Sequence, residues 1–464
     1  MHFVKMTALS LIVAAAAGVA TAQDTQTISK QYDDGAFYEG GFKDGLQHGK
    51  GTYRLPSGYE YSGDWVNGEI RGQGVARFPS GAVYEGAFIA GNPDGQGKIT
   101  YPDGGSYEGT WIEGRIEGTG VATYANGARY DGAFLNAQPH GKGVLTNPDG
   151  YSYDGDWVEG AKTGQARITH PDGATYVGSV ANGQRHGEGT LTLSDGAVYT
   201  GTWADGNISG VGSIAYPEGD KYEGDLANGQ RVGNGIMTYA NGDRYEGAFA
   251  DDMRHGTGKF TGADGFEYDG TWAEGRMTGE GQLRYPDGAL YVGSMLDDKA
   301  NGQGKITYTD GSGYAGDWRD GVMHGEGLAR YANGAIYQGN FIEGKRVGTG
   351  KMTTPDGYSY EGSWVDGQRD GTGVATYADG TRYEGQFTNG QRHGQGRMTM
   401  ASGFAYEGAW DMGAITGKGR AEYANGDVFE GNFKDGKRDG AGIMLYADGQ
   451  TREGTWSNGE LQSQ

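Results

Sequence analysis

The sequence predicts an all-β protein, an elongated and twisted single-layer antiparallel β-meander built from tandem β-hairpins. The core of a Tyr-Glu-Gly-x-Phe/Trp motif recurs nineteen times at a constant spacing of 23 residues, first at Tyr38 and Tyr61 and last at Phe429 and Arg452. A fixed period of about 20–50 residues indicates a repeat array, in which each unit buries its apolar surface against its neighbours. Glycine accounts for 94 of 464 residues, but it does not fall at every third position, which excludes collagen.

One repeat, residues 107–129 with the sequence YEGTWIEGRIEGTGVATYANGAR, illustrates the predicted hairpin, and we number its positions 1 to 23 in every copy. Tyr107 and Trp111, at positions 1 and 5, alternate with polar residues, which is the period of a strand. Positions 7 and 8 have turn chemistry, and positions 14 to 18 predict a second strand rich in Val and Thr. A further turn at residues 125–127 leads to the next copy, so consecutive hairpins form one meander.

The glycines at fixed positions predict two backbone roles. Those at positions 8 and 21 lie in turns that need a positive φ. Those at positions 3 and 14, such as Gly40 and Gly51, lie inside strands, where glycine is normally costly. We expect that an aromatic ring from the neighbouring hairpin lies flat on this bare backbone.

All nine tryptophans occupy position 5, which makes them the first candidate for a binding row. Sugars stack on aromatic faces, so an exported protein could use such a row to bind a glycan. The alternative, which we favour, is that these rings form the thin core, because burying them is the main source of stability in a single sheet. The residues are Trp65, Trp111, Trp157, Trp203, Trp272, Trp318, Trp364, Trp410 and Trp456.

The composition limits the classes of partner. The net charge is −22, with 60 acidic and 38 basic residues, and such a field repels nucleic acid and anionic lipid headgroups. It favours basic partners and divalent cations. The chain contains no cysteine, which excludes disulfides and thiolate metal sites.

The N-terminus has the pattern of a secretory signal peptide over residues 1–22. Lys5 is followed by an apolar run from Leu9 to Val19 and by an A-x-A site, which predicts cleavage between Ala22 and Gln23. The expected location is therefore the periplasm or the cell exterior.

The rest of the chain divides by its repeats. Residues 23–37 form an N-terminal segment with a partial capping repeat, residues 38–451 form eighteen complete repeats, and residues 452–464 form a truncated repeat and a polar tail. The open edges of the terminal repeats could also serve homodimerisation.

The titratable residues predict no catalytic site and no metal site. Six histidines occupy position 11 and carboxylates recur at positions 2 and 20, so no repeat gains a unique reactive cluster. Cofactors are not expected; a weaker alternative is calcium binding at Asp-Gly turns such as residues 102–104. The position-11 histidines are His48, His140, His186, His255, His324 and His393.

The segment from Tyr383 to Gly396, YEGQFTNGQRHGQG, resembles the MORN repeat, the membrane occupation and recognition nexus, and the match extends over residues 38–458. The resemblance implies elongated antiparallel β-ribbons and a scaffolding, tethering or organising role at membranes, usually through protein contacts. In enzymes that contain these repeats, catalysis resides in a separate domain. The sequence departs from the pattern at Ala137, Ala166 and Arg452.

These observations together predict an exported, non-enzymatic repeat protein. It would act as a protein-binding scaffold or tether at the cell envelope, with basic proteins as favoured partners. The alternative is binding of a glycan, such as peptidoglycan, or of a membrane surface through the aromatic rows.

The signal peptide gives a direct prediction. When the full chain is expressed in a bacterium, N-terminal sequencing and intact mass should show a mature protein that begins at Gln23. Replacing Ala22 with Arg removes the small residue at the cleavage site and should leave the precursor uncleaved. A chain that keeps residues 1–22 in the soluble cytoplasm would contradict the prediction.

Overall fold

The computed structural model describes residues 26–462, and these residues contain strands and turns without a helix. The predicted all-β antiparallel meander is confirmed. The predicted signal peptide and its predicted cleavage site between Ala22 and Gln23 lie outside the described residues.

The first of two compact units ends at Gln230. Within it, each strand pairs antiparallel with the next strand along the chain. Its strands are β1 (Gln26–Gln31), β2 (Phe37–Lys43), β3 (Leu46–Arg54), β4 (Glu60–Val66), β5 (Glu69–Arg77), β6 (Val83–Ile89), β7 (Asn92–Thr100), β8 (Ser106–Ile112), β9 (Arg115–Thr123), β10 (Arg129–Leu135), β11 (Gln138–Thr146), β12 (Ser152–Val158), β13 (Ala161–Thr169), β14 (Thr175–Ala181), β15 (Gln184–Thr192), β16 (Val198–Ala204), β17 (Asn207–Ala215) and β18 (Lys221–Ala227).

The second unit begins at Arg231 and has the same consecutive antiparallel pairing. Its strands are β19 (Gln230–Thr238), β20 (Arg244–Ala250), β21 (Met253–Thr261), β22 (Glu267–Ala273), β23 (Arg276–Arg284), β24 (Leu290–Leu296), β25 (Lys299–Thr307), β26 (Gly313–Arg319), β27 (Val322–Arg330), β28 (Ile336–Ile342), β29 (Lys345–Thr353), β30 (Ser359–Val365), β31 (Gln368–Thr376), β32 (Arg382–Thr388), β33 (Gln391–Thr399), β34 (Ala405–Asp411), β35 (Ala414–Glu422), β36 (Val428–Lys434), β37 (Lys437–Leu445), β38 (Thr451–Ser457) and β39 (Glu460–Leu461).

The turn inside each hairpin has two residues, at positions 7 and 8, and both have a positive φ. Asn67 and Gly68 show φ values of 51° and 88°, as a type I′ turn requires, and this turn matches the twist of the flanking strands. Where glycine is missing at position 8, Ala137, Asp252 and Asp298 still adopt φ values of 63°, 64° and 67°. The fold therefore imposes the left-handed conformation even on alanine, at a cost of about 1–2 kcal/mol.

The second strand of each hairpin is longer than predicted, because it begins at position 9 and not at position 14. In the hairpin of β6 and β7, Gly86 pairs with Gly97 but Phe88 pairs with Pro93, so three residues lie opposite Ala87 alone. This irregularity contains the glycine of position 12, which has a positive φ, for example 99° at Gly95. Because the second strand contains two extra residues, its remaining side chains stay on the same faces of the sheet. One extra residue would have moved all of them to the opposite face.

The expected contact between an aromatic ring and bare glycine backbone is present, but the predicted origin of the ring was wrong. Tyr84 lies over Gly97 of its own hairpin, where a Cβ added to Gly97 would stand only 2.6 Å from Tyr84 Cε2. The ring belongs to the same hairpin because position 1 and position 14 lie on paired strands, two residues apart in register. The ring of the neighbouring hairpin, Trp111, packs against the edge of Tyr84 instead.

The connection between hairpins is a five-residue turn. Tyr101 N donates to Gly105 O at 2.7 Å, and Gly104 N donates to Tyr101 O at 3.0 Å. Asp103 Oδ1 accepts a hydrogen bond from Gly105 N at 2.9 Å, which is the local side-chain contact that favours Asp and Asn in turns. The carboxylates at position 20 thus stabilise turns.

The glycine at position 14 supports a stability prediction. Gly97→Ala should destabilise the protein by about 1–3 kcal/mol, because the added methyl group meets the Tyr84 ring and forces it to shift. Hydrogen exchange of β6 and β7, followed by mass spectrometry, would locate the loss. Ala166→Gly is the matched control, since Ala166 naturally occupies position 14 opposite Gly155; it should leave exchange in β6 and β7 unchanged. Unaltered protection in Gly97→Ala would refute the packing argument.

Candidate interaction surfaces

In each unit the sheet has an aromatic face and a polar face, and the aromatic face forms the core. In the third repeat, Tyr84 lies at right angles to Phe88 of its own strand and to Trp111 of the next repeat, with ring centroids 5.0 Å apart in both pairs. Tyr84 Oη donates to Ala87 O at 3.0 Å, and Trp111 Nε1 donates to Gly97 O at 3.1 Å. Every polar atom of these rings is therefore satisfied, and each ring links one hairpin to the next.

The nine tryptophans of the candidate binding row all lie on this face, and their side chains are only 3–8% exposed. The indole hydrogen bond to the glycine carbonyl recurs, for example from Trp157 to Gly143 at 3.0 Å and from Trp410 to Gly396 at 3.1 Å. The ring faces that a sugar would need are covered by protein atoms. The row contributes to the core in this structure.

One repeat arranges its core differently. Tyr199 is only half-buried, and the space above Gly212 is filled by the Cδ1 atoms of Leu226 and Ile208, which would lie 2.9 and 3.4 Å from an added Cβ. Aliphatic side chains can thus replace a tyrosine ring over the glycine at position 14.

Position 10 carries a row of arginines that sequence reasoning missed. The guanidinium of Arg392 lies 4.5 Å from the ring centroid of Trp410 in the next repeat, and its Nη2 donates to Gly413 O at 2.9 Å. The same pair of contacts recurs at Arg185, Arg254 and Arg346. Each arginine joins two hairpins by stacking and by a backbone hydrogen bond. The sequence did contain a sign of this role: other repeats have Ile, Pro or Met at position 10, which indicates that the position is buried.

The polar face is open to solvent along both units. Its central row pairs position 2 with position 15, as in Glu85, Lys98 and Glu108 on adjacent strands. Lys98 Nζ lies 3.4 Å from Glu108 Oε2, and both side chains are more than half exposed. Such exposed pairs contribute little to stability, so this row is available for external contacts.

Carboxylates at position 4 of this face have a local structural role. Asp64 accepts a hydrogen bond from Gln73 N at 2.9 Å, across the irregular part of the hairpin, and its Oδ1 lies 2.7 Å from Lys50 Nζ. The hydrogen bond from Lys50 is the main reason that the pKa of Asp64 is lowered, and the Gln73 amide adds to it. Asp156 repeats the arrangement with Lys142 and Gln165.

The histidines at position 11 lie near the turn of the next repeat. His48 Nδ1 accepts a long hydrogen bond of 3.5 Å from Asn67 N, and Asp94, at the same position in another repeat, accepts one of 3.1 Å from Glu113 N. His and Asp are therefore interchangeable acceptors here. Within residues 26–462 no group of three or more His, Asp or Glu side chains is arranged to hold a metal ion. In that part of the chain, no helix has the length and apolar character needed to cross a membrane.

A shallow depression in the polar face lies over β1 to β6. Polar and charged side chains line it, among them Glu39, Lys50, Ser62, Gln73 and Glu85. It offers both hydrogen-bond donors and acceptors, in a form suited to the surface of another macromolecule.

Comparison with known families identifies the class of protein. The MORN repeat family model matches eighteen successive segments, so the chain belongs to the MORN repeat family, as the motif had indicated. The matched residues are 38–58, 61–83, 84–106, 107–129, 130–150, 153–175, 176–198, 199–221, 222–244, 245–266, 268–290, 291–313, 314–336, 337–357, 360–382, 383–404, 406–428 and 429–451.

Solved structures give only distant likenesses. The TCP domain of SAS-4 from Drosophila melanogaster is 15% identical, with 43% of this chain and 90% of that chain covered and a TM-score of 0.21. Virginiamycin B lyase from Staphylococcus aureus is 12% identical, with 71% and 89% covered and a TM-score of 0.11. At these TM-scores neither likeness carries an argument. No curated protein matches the chain.

The tyrosine core predicts an alkaline limit to stability. Burial raises the pKa of Tyr38, Tyr153 and Tyr406 to about 12, from 10.0 for a free phenol. In the unfolded chain these phenols lose their protons at a lower pH than in the folded protein, so a rise in pH favours the unfolded state. The contribution of the protonated tyrosines to the free energy of unfolding is therefore complete below pH 10 and is lost as the pH rises through about 12. We expect cooperative loss of circular dichroism between these values, together with the rise in tyrosinate absorbance.

A Tyr→Phe variant provides the control for this titration. Phe429 occupies position 1 in one natural repeat, so Phe at Tyr38, Tyr153 and Tyr406 should be tolerated and should move the alkaline transition to higher pH. Titration of the wild-type tyrosines near pH 10 with the fold intact would contradict the prediction.

Proposed function

We propose that this MORN-repeat protein is exported and acts, without catalysis of its own, as a protein-binding scaffold or tether at the cell envelope. The proposal rests on the different roles of the two faces of the sheet. The aromatic side chains are used in internal packing, whereas each repeat leaves its polar face open for contacts. A repeated open surface suits the binding of extended or multiple partners.

The charge of the chain supports a basic partner. The net charge of −22 favours cationic protein surfaces and raises the rate of their encounter with the scaffold. The pattern of residues 1–22 supports export, and export places the partner among envelope or extracellular proteins.

The test is cross-linking in living cells of a tagged protein, followed by mass spectrometry of the co-purified material. We expect one or two stoichiometric proteins. A polar-face variant of the first unit, Glu85→Lys with Glu108→Lys and Asp131→Lys, should lose them. The matched control makes the same change of charge at hairpin turns, Glu274→Lys with Glu343→Lys and Asp435→Lys, and should retain them.

Sedimentation with purified peptidoglycan and with liposomes examines the alternative surfaces. Recovery of cell-wall or lipid material by the wild type, without a protein partner in the cross-linked sample, would overturn the scaffold proposal. Retention of the same protein partners by the polar-face variant would refute the assignment of binding to that face.

A further inference from the structure

A row of aliphatic side chains crosses the polar face of the first unit near the hairpin turns. Position 6 of five consecutive repeats holds Val66, Ile89, Ile112, Leu135 and Val158, and these side chains are 38–50% exposed. We call these five residues the aliphatic stripe. Neighbouring members lie two strands apart, roughly 9–10 Å, so the stripe extends over roughly 40 Å. Each member lies beside a polar residue of the intervening strand, Glu69 beside Val66 and Asn92 beside Ile89, so the stripe is a row of regularly spaced apolar side chains with polar neighbours. Exposed apolar groups rimmed by polar residues mark interaction sites in soluble proteins.

The fold itself does not require large aliphatic residues at position 6. Before the stripe the position holds Lys43, and after it, in the same unit, Ala181 and Ala204. In the second unit it also holds Thr388 and Asp411. Val and Ile do favour strands, but the preference is within about 1 kcal/mol and depends on context. The hairpins form with charged, small or polar residues there, so packing within the sheet does not explain the stripe.

The charges around the stripe identify the partner's chemistry. In repeats two to six, positions 4, 7, 9, 11 and 13 hold seven carboxylates and three cations, a net charge of −4. Each cation lies near one carboxylate of the set, Arg71 at 3.4 Å from Glu69, Arg115 at 3.8 Å from Glu113 and Lys142 at 2.7 Å from Asp156, so the net charge comes from the other four carboxylates. One of the seven carboxylates, Glu159, lies in the turn that follows Val158, at the end of the row. An apolar row with an acidic border complements a basic, amphipathic segment.

We propose that the aliphatic stripe binds a basic amphipathic helix of a protein partner, laid across the strands. A heptad of an α-helix rises about 10.5 Å, which is within about an ångström of the spacing along the stripe, so one leucine-rich helix edge can meet successive stripe residues. Lysines and arginines on both sides of that edge then face the carboxylates of the border. This inference rests on the proposed scaffold function and adds the surface and the chemistry of the partner.

The test uses two triple variants of the mature chain. The stripe variant carries Ile89→Ser, Ile112→Ser and Leu135→Ser. The matched control carries Leu296→Ser, Ile342→Ser and Val365→Ser, which remove slightly more exposed side chains (52–55%, against 42–48% in the stripe variant) from the same position in the second unit. In the second unit, Arg319 lies at position 6 between Leu296 and Ile342, so these residues do not form an uninterrupted aliphatic row. Circular dichroism and thermal unfolding establish that both variants fold; if the serine set does not, alanine, natural at this position, replaces it.

The probe is a fluorescein-labelled peptide of four leucine–lysine heptads with leucine at a and d, and binding is measured by anisotropy at physiological salt. We expect the stripe variant to bind about tenfold more weakly than the wild type, and the control variant to bind as the wild type does. A serine–lysine peptide and a leucine–glutamate peptide of the same length should both fail to bind the wild type. Equal binding by the two variants, or binding of the serine–lysine peptide as tight as that of the leucine–lysine peptide, would overturn the proposal.

Two other occupants of the stripe give separate results. Concentration-dependent dimerisation of the wild type in sedimentation velocity, lost in the stripe variant, would assign the stripe to a second copy of this chain. Binding to phosphatidylcholine–phosphatidylglycerol vesicles, lost in the stripe variant while peptide binding is not, would assign it to a membrane. Either result overturns the proposal.

Cross-linking in cells separates this proposal from the broader scaffold function. If the stripe variant keeps all partners of the wild type, the scaffold function stands and the stripe is not its docking site. If the wild type captures no protein although the peptide result holds, the scaffold function fails and the stripe remains a site for basic helices.

Discussion

The contact between a tyrosine ring and two bare glycines is the constraint on which the rest of the structure depends. Tyr84 covers Gly97 so closely that a Cβ would not fit without movement, and this closeness brings its hydroxyl within 3.0 Å of Ala87 O. The same ring packs at right angles against Trp111 of the next hairpin. A single sheet thereby acquires a buried core, because its own side chains lie flat on it and replace the second layer that other domains need.

This arrangement separates stability from recognition. Core contacts join each repeat to its neighbours, so the consequences of one substitution stay local. Ala137 in a left-handed turn and Ala166 at position 14, opposite Gly155, are accommodated in strands that pair as the others do. The polar face takes no part in this core and is free to vary from repeat to repeat. We propose that its variation, including the row from Val66 to Val158, selects the partners.

Local sequence preferences predicted the turns and strands of the hairpin, but not the features that depend on a neighbouring strand or hairpin. The turn at Glu113-Gly114 followed from local φ preferences, and the strand at Tyr107 followed from alternation over a few residues. The irregularity around Gly95 was missed, because glycine signals only that a left-handed residue is allowed and not how many residues lie opposite its partner strand. The role of Arg392 was missed because its stacking partner, Trp410, lies on the next hairpin.

By itself the sequence determined the repeat, its hairpin, its turns and its family, since a period of 23 residues and local backbone preferences are properties of the chain alone. Only the tertiary structure decided which ring covers which glycine, and that all nine tryptophans are buried while position 6 is exposed. These outcomes depend on strand register, which is set by pairing between hairpins. A row of similar residues gives the same sequence pattern whether it lies in the core or on the surface.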